Sequence, residues 1–507
     1  MTGTSAAQHP DVQGEWRLLV DGKLVEASGG GSFANVDPAT EKSLGDTADG
    51  TPSDMETAIA AARRAFDETS WSTDHAFRSR CLEQLHAALV AHKEELRQVV
   101  VAEAGSPIAL TYAIQVDLPI EDVPHYAALA QSYPYDQPMP ERDVFGQRTR
   151  RLVLREATGV VGAITPWNFP FFLNMAKLSP ALAAGNTVVL KPAPDTPWSA
   201  TVLGRIIAEE TDIPAGVVNV VASSDHLVGE VLTTDPRVDM VTFTGSTVTG
   251  RRIMAKGSDT VKKVFLELGG KSANIVLDDV EDLTAACSGG AFAVCVHAGQ
   301  GCAITTRLLL PRSRYDEGVE LAKATLDAMS FGDPWDPSNL MGPLVSAKQR
   351  DRVLGYIEKG KSEARLVRGG AIPSDRPTGY FVEPTLFADV DPKATIAQEE
   401  IFGPVLVVIA YADEDDAVRI ANDSIYGLSG AVTSASEDRA LAVARRIRSG
   451  TVSVNGGVYL APDVPFGGYR QSGVGREHGR EGFEEYLETK TVAIAAAGAG
   501  GPKLGSS

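Results

Sequence analysis

From Gly159 onward the chain alternates short apolar runs with amphipathic stretches. The runs are 160–164, 187–191, 217–221, 240–243 and 263–267. Segments this short, rich in β-branched residues and apolar on both faces, predict strands covered on both sides, and helices between them imply parallel pairing. Five such strands in about a hundred residues predict a nucleotide-binding sheet. Ahead of this block, residues 16–26 predict a hairpin turning at Asp21-Gly22. Ser53 opens a series of amphipathic helices that runs to about Ser132. At 150–155 charged and apolar residues alternate, which predicts an edge strand or an intersubunit ribbon. Thr196-Pro197 predicts a helix start, with threonine as cap and proline in the first turn. A second α/β block runs from Ser272 to about Val464, with strands at 307–310 and 404–409, and a last strand near 487–494 suits pairing with the ribbon.

At 507 residues the chain exceeds one core, so two or more domains are expected. The expected division is a nucleotide-binding domain at 1–142 and 159–269, a catalytic domain at 270–470, and an oligomerisation ribbon with C-terminal tail at 143–158 and 471–507. A net charge of −19 without a basic block argues against nucleic acid. Four cysteines without paired close spacing argue against a disulfide framework or a zinc ribbon, and suit a reduced, cytoplasmic protein with no metal. The uncharged run 157–176 is long enough to raise a membrane span. Pro166, Asn168, Pro170 and Asn174 break it, so a strand, a turn and a helix start are expected there, with no membrane insertion. Residues 1–14 are polar, lack the order of a secretory signal and suggest a frayed arm. From Ala495 the chain is Ala/Gly-rich and reads as a disordered, partly appended tail.

Candidate chemistry centres on Cys302. It lies in the segment His297-Ala298-Gly299-Gln300-Gly301-Cys302, outside any helical or strand period. A cysteine attacks as the thiolate, which needs donors or positive potential nearby. Gly299 and Gly301 would allow unusual backbone angles and close approach by a substrate. Cys81, Cys287 and Cys295 fit ordinary packing, the last two in helical runs. Glu267 ends an apolar strand before Gly269-Gly270-Lys271. Such surroundings raise a carboxyl pKa and suit a general base, although a structural pairing with a nearby lysine reads equally from the residues. Asn168 stands in the rigid turn 166–170 and could stabilise an oxyanion, or serve only as a turn residue. Gly245-Ser246 follows a strand and opens a helix, where backbone donors can hold a phosphate. Lys191 ends a strand on the usual ligand side, or is a solvated surface lysine.

The chain resembles the aldehyde dehydrogenase superfamily from about Trp16 to Thr491. Three motifs carry the resemblance: 265–271 is similar to its glutamate motif, 299–302 to its cysteine motif and 400–405 to its third signature. The turn 166–170, Phe243-Thr244-Gly245-Ser246 and 465–468 extend it. The resemblance implies an α/β fold with a Rossmann-like parallel-sheet cofactor domain, an α/β catalytic domain and a small β-ribbon oligomerisation domain. It further implies NAD(P)-dependent oxidation of an aldehyde to the acid through a thiohemiacetal and a thioester on Cys302. Asn168 would hold the oxyanion, Glu267 would activate water, and Lys177 with Glu477 would form a more distant proton relay. Cofactor contacts would come from Ile164, Thr165, Pro166, Trp167, Lys191, Gly245, Ser246, Leu268, Glu400 and Phe402.

Two positions depart from the family pattern. Pro194 stands where a ribose-binding glutamate is common, which leaves NADP open beside NAD, with Asp195 as candidate replacement. Ala222-Ser223-Ser224-Asp225 stands where glycines are more usual. Apolar residues in 169–177, with the small Ala176, and Tyr459 and Leu460 suggest an apolar small-molecule aldehyde as substrate. The ribbon predicts a homodimer or homotetramer. The competing readings are a cysteine-dependent ester or thioester hydrolase, a CoA-acylating enzyme, and a non-catalytic cofactor-binding protein. Glu267, as water activator, argues against the second. The set Cys302, Glu267 and Asn168 argues against the third.

Overall fold

The computed structural model describes residues 9–495. Its first sheet carries the five expected strands, side by side and parallel, in the order Lys263–Glu267, Met240–Thr244, Val160–Ile164, Thr187–Lys191, Val218–Val220. The chain moves outward from Val160–Ile164 through the next two strands, then returns to its other side at Met240–Thr244. That reversal opens a crevice beyond the carboxyl ends of the strands, where α/β sheets bind their ligands. The hairpin Leu18–Val20 and Lys23–Val25 adds antiparallel strands at one edge, with Asp21 (φ 52°) and Gly22 (φ 72°) at its turn. Gly473–Val474 adds another at the opposite edge.

The second sheet has seven strands, in the order Arg365–Arg368, Thr385–Ala388, Val405–Tyr411, Arg307–Pro311, Ala273–Val276, Gly430–Thr433, Ser453–Val454. Only the first pair is antiparallel. Its apolar strands pack into a core separate from that of the first sheet. The helix Pro170–Ala184 is buried along its whole length, starts on a proline and stops at Gly185 (φ 96°). None of the helices is long and apolar enough to cross a membrane, among the described residues.

The third sheet corrects the ribbon. Gln147–Ala157, which contains the alternating run 150–155, is not an edge strand but the middle of three, between Asp136–Val144 and Leu487–Ala495. Sheet membership also crosses two expected boundaries. Asp136–Val144 begins ahead of residue 143, and Gly473–Val474 belongs to the first sheet although it falls in 471–507. A hairpin at Ser32–Val36 and Ser43–Ala48 had no sequence expectation.

Other corrections are local. Thr196 does not cap its helix, which runs Trp198–Glu210 without a side-chain cap of its own. The buried Glu103 does the work from another helix, accepting the N–H of Trp198 at 2.8 Å and of Ser199 at 2.7 Å. The arm expected at 1–14 is docked from His9, which bonds Asp333 at 2.9 Å, and Val12 joins the first core. Residues 1–8 and all of the tail after Ala495 lie outside the described residues.

Candidate active site

Cys302 sits between the helix Leu283–Ala293 and the strand Arg307–Pro311. Its approach is a run of three left-handed residues, His297 (φ 48°), Ala298 (φ 52°) and Gly299 (φ 71°). The two non-glycines carry local strain of about 1–3 kcal/mol each, which the surroundings must hold in place. Gln300 does much of that holding. Its backbone N–H and its Nε2 both donate to the His297 carbonyl at 3.1 Å, and its Oε1 accepts the Val345 N–H at 2.9 Å. Gly299 takes the unusual backbone angle expected of it, whereas the close approach it allows is by protein. A Cβ there would lie 2.1 Å from the Gly403 carbonyl, so its small size lets two loops pack rather than a substrate approach. Gly301 likewise faces the Ile304 side chain.

Asn168 is buried, and its Nδ2 donates to the Gln300 carbonyl at 2.9 Å. The amide is thereby tied to the cysteine loop. Gln115 Nε2 donates to the Asn168 carbonyl at 3.1 Å from behind. Gln300 stands inside the cysteine motif and could have been found there; Gln115 gave no signal in the sequence.

The Cys302 thiol is partly exposed. Burial and the carboxylates of Glu400, Glu267 and Glu477 all raise its pKa, and only its own backbone N–H acts the other way. Of the donors or positive potential expected, the backbone N–H is present, and no cation stands among the described groups that shift the thiol. Cys81, Cys287 and Cys295 are wholly buried, and burial pushes each thiol up to about 12. Cys295 lies just past the helix end rather than within it.

Glu267 ends its strand 2% exposed, and neither carboxylate oxygen has a hydrogen-bond partner. Burial, with Glu477 adding repulsion, holds it well above the ordinary carboxyl range although Lys177 and Arg476 pull the other way. Gly467 leaves it room, since a Cβ there would lie 2.6 Å from Glu267 Oε1. Lys177 and Glu477 come together as a buried pair at 2.8 Å, with Thr242 Oγ1 accepting from Lys177 at 3.1 Å.

The cofactor-side candidates lie along the crevice. A cavity of about 250 Å³ is lined by Ile164, Thr165, Lys191, Pro194, Phe243 and Thr249, among others. Lys191 is buried there rather than solvated, donating to the Pro192 and Ser223 carbonyls at 3.3 Å, and burial lowers it to about 8. Gly245 receives no ligand role from its own contacts but bonds the Glu267 carbonyl, while Ser246 caps the helix Thr247–Gly257 by accepting from Thr249 N at 3.2 Å. Leu268 packs against Gly250. Glu400 accepts the Gly270 N–H at 2.8 Å, and a Cβ on Gly269 would lie 2.4 Å from its carboxylate. Burial brings Glu400 up to about 7. Trp167 and Phe402 meet edge to face at 5.4 Å, and Pro166 precedes them at the rim. Asp195 does not line the cavity and faces the charge of Lys348. An apolar cleft bordered by Lys191, Arg252 and Lys256, with a helix N-terminus at Ser246 for phosphate, fits a dinucleotide.

On the substrate side the structure divides the helix residues. Phe171, Met175 and Leu178 belong to the first core, whereas Phe172, Leu173 and Ala176 do not. Tyr459 reaches the neighbourhood of Cys302 and stacks on Phe466 at 6.3 Å. A larger cavity of about 690 Å³ is lined by Ala303, Ile304, Ser453, Val458, Tyr459 and Leu460, among others, and Cys302 does not line it.

The sequence profile of the Aldehyde dehydrogenase family matches residues 24–492. A 3-succinoylsemialdehyde-pyridine dehydrogenase from a Pseudomonas species is 42% identical over 484 residues, 94% of this chain and 98% of that protein. Aldehyde dehydrogenase C from Pseudomonas syringae, a mutant solved with NAD+ and octanal, is 38% identical with a TM-score of 0.89 and covers 94% of this chain and 96% of its own. A gamma-glutamyl-gamma-aminobutyraldehyde dehydrogenase structure from Burkholderia cenocepacia J2315 is 41% identical with a TM-score of 0.91, covering 96% of this chain and 97% of its own.

Proposed function

The chain belongs to the aldehyde dehydrogenase family, and we propose that it oxidises an apolar aldehyde to the carboxylic acid with NAD, using Cys302, Asn168 and Glu267. The observation that carries the reading is the tie between Asn168 and the cysteine loop at 2.9 Å, beside a buried carboxylate with no partner of its own.

Glu267 takes the thiol proton, since no cation stabilises the thiolate. Cys302 Sγ attacks the aldehyde carbon, and the oxyanion of the thiohemiacetal is held by Asn168 Nδ2 and the Cys302 backbone N–H. When bound, NAD would supply the hydride acceptor that lets the thiohemiacetal oxyanion collapse to a thioester. Glu267 first hands the thiol proton on along a path extended by Lys177 and Glu477, which returns it to the carboxylate form. It then removes a proton from water, the hydroxide adds to the thioester carbonyl and the C–S bond breaks, and the proton held by Glu267 returns to the departing Cys302 sulfur, freeing acid and thiol. On the cofactor, Glu400 with Phe402 would hold the nicotinamide ribose, Ser246 the pyrophosphate and Lys191 the adenosine ribose. Pro166, Trp167, Leu268, Gly245, Ile164 and Thr165 would complete the walls.

The apolar substrate is proposed from the apolar side chains of Phe172, Leu173 and Ala176, which are buried but lie outside the first core cluster, and from Tyr459 near the thiol. The octanal bound to a relative 38% identical supports the same class. A homodimer or homotetramer is proposed from the exposed ribbon strand Leu487–Ala495. Appearance of reduced cofactor at 340 nm with an apolar aldehyde and NAD, lost in Cys302→Ala, tests the reaction. Ester cleavage through Cys302 with no reduced cofactor would replace it by the hydrolase reading.

A further inference from the structure

The adenosine end of the cofactor cavity lacks a carboxylate at Pro194, yet three cations border it: Lys191, Arg252 and Lys256. Left unanswered, such a cluster would draw a 2′-phosphate. Each cation is answered. Glu230 pairs with Arg252 at 2.5 Å and with Lys256 at 3.7 Å. Lys191 is answered by a device built from the unusual loop Ser223-Ser224-Asp225. Asp49, from the segment before the first helix, accepts Ser223 Oγ at 3.0 Å, Ser224 N at 2.8 Å and Ser224 Oγ at 2.6 Å. The adjoining Gly50 N–H donates to the Ala222 carbonyl at 2.8 Å, so the loop is fastened at both ends of its turn. The carbonyl of Ser223, placed by this clamp, receives the Lys191 ammonium. Burial draws Lys191 down, and Asp225 followed by Asp49 supply the opposing negative charge.

We propose that Asp49, acting through Ser223 and Ser224, positions Lys191 and makes the adenosine end select NAD over NADP, in place of the carboxylate absent at Pro194. Asp49 is a positioning residue: it lies outside the cavity wall and works through the loop. The clamp holds the ammonium against two backbone carbonyls at 3.3 Å, which leaves one of its three N–H donors for a ribose hydroxyl. Its charge, matched by Asp49 and Asp225, offers little to a doubly charged phosphate.

The inference rests on the dinucleotide reading of the cleft, and the test separates the two. Dissociation constants for NAD and for NADP are measured by titration calorimetry at low salt on the full-length wild type, Asp49→Asn and Asp49→Glu. Wild type should bind NAD more tightly. Asp49→Asn should move the NADP-to-NAD affinity ratio about fivefold toward NADP, the scale of one partly screened charge, and Asp49→Glu should keep the wild-type ratio. Should Asp49→Asn fail to fold, Ser224→Ala removes the 2.6 Å bond alone and should move the ratio the same way by a smaller factor. Equal weakening of both cofactors, or no change in the ratio, would overturn the inference and leave Asp49 structural. Wild type that binds neither dinucleotide would overturn the functional reading itself, and the inference with it.

Discussion

Lys177 Nζ and Glu477 Oε1 meet at 2.8 Å with both side chains buried, joining a helix of the first core to the loop ahead of the last helix. The pair sets the field around Glu267, because Glu477 repels a charge on that carboxylate while Lys177 attracts it. Glu477→Gln should therefore act twice. It leaves an uncompensated ammonium, at a cost of about 3–5 kcal/mol in urea unfolding. It also removes the repulsion and frees the attraction, so the Glu267 pKa falls. A base works in its ionised form, so wild-type kcat should rise with pH through a limb above the ordinary carboxylate range, and that limb should lie at lower pH in the variant. An unmoved limb would leave the pair purely structural.

Glu267→Gln keeps the shape of the buried site and removes the base. The fall in kcat should be about 10²–10⁴-fold. The distinguishing sign is where the reaction stops: with no activated water, the acyl group should remain on Cys302 and add its mass to the intact protein. A slow variant with an unmodified Cys302 would mean that water activation is not the step Glu267 serves.

Asn168→Ala removes the proposed oxyanion donor, an amide tied to the Gln300 carbonyl. kcat/KM should fall by about 10²–10³-fold, with NAD binding unchanged by calorimetry. Loss of NAD affinity of similar size would assign the residue to the cofactor cleft.

The parallel sheet was legible because its strands are short apolar runs with no competing period, and Cys302, Glu267 and Asn168 stood out as candidates because all three stand at breaks in that pattern. What holds those groups was not. Gln115 reaches Asn168, and Gly467 makes room for Glu267, across sequence separations that no local pattern records. Thr196-Pro197 misled for a related reason: a local cap signal was overridden by Glu103 from another helix. The middle strand of the ribbon read as an edge because both of its faces are partly exposed, and exposure of a face does not reveal whether both edges are paired.

A medium-chain aldehyde such as hexanal should have a higher kcat/KM than succinic semialdehyde. Phe172, Leu173 and Ala176 are apolar and buried, and a substrate carboxylate without a cation would meet the charges of Glu267, Glu400 and Glu477 near the thiol. Preference for the acidic substrate would sink the apolar reading while leaving the reaction class intact.

Each open sheet leaves edge strands unpaired among the described residues; in the ribbon these are Leu487–Ala495 and Asp136–Val144, the latter interrupted by Pro138 and Pro140. Leu487–Ala495 bonds Gln147–Ala157 on one side only, and Ser453–Val454 closes the second sheet beside the cavity of about 690 Å³. The first of these is nine residues long and mostly exposed, without proline and with one lysine, Lys490. Long edges of this kind are normally blunted or covered, since their free N–H and C=O groups template further pairing. A second copy of the chain is the covering that keeps the protein from open-ended association, provided that the contact closes on itself. Light scattering at micromolar concentration should then give at least twice the 53.6 kDa of one chain. Proline at Thr491 or at Val492 should lower that mass, since strand alternation turns one of the two N–H groups toward the partner. A wild-type mass of a single chain would mean that the ribbon is exposed for another purpose.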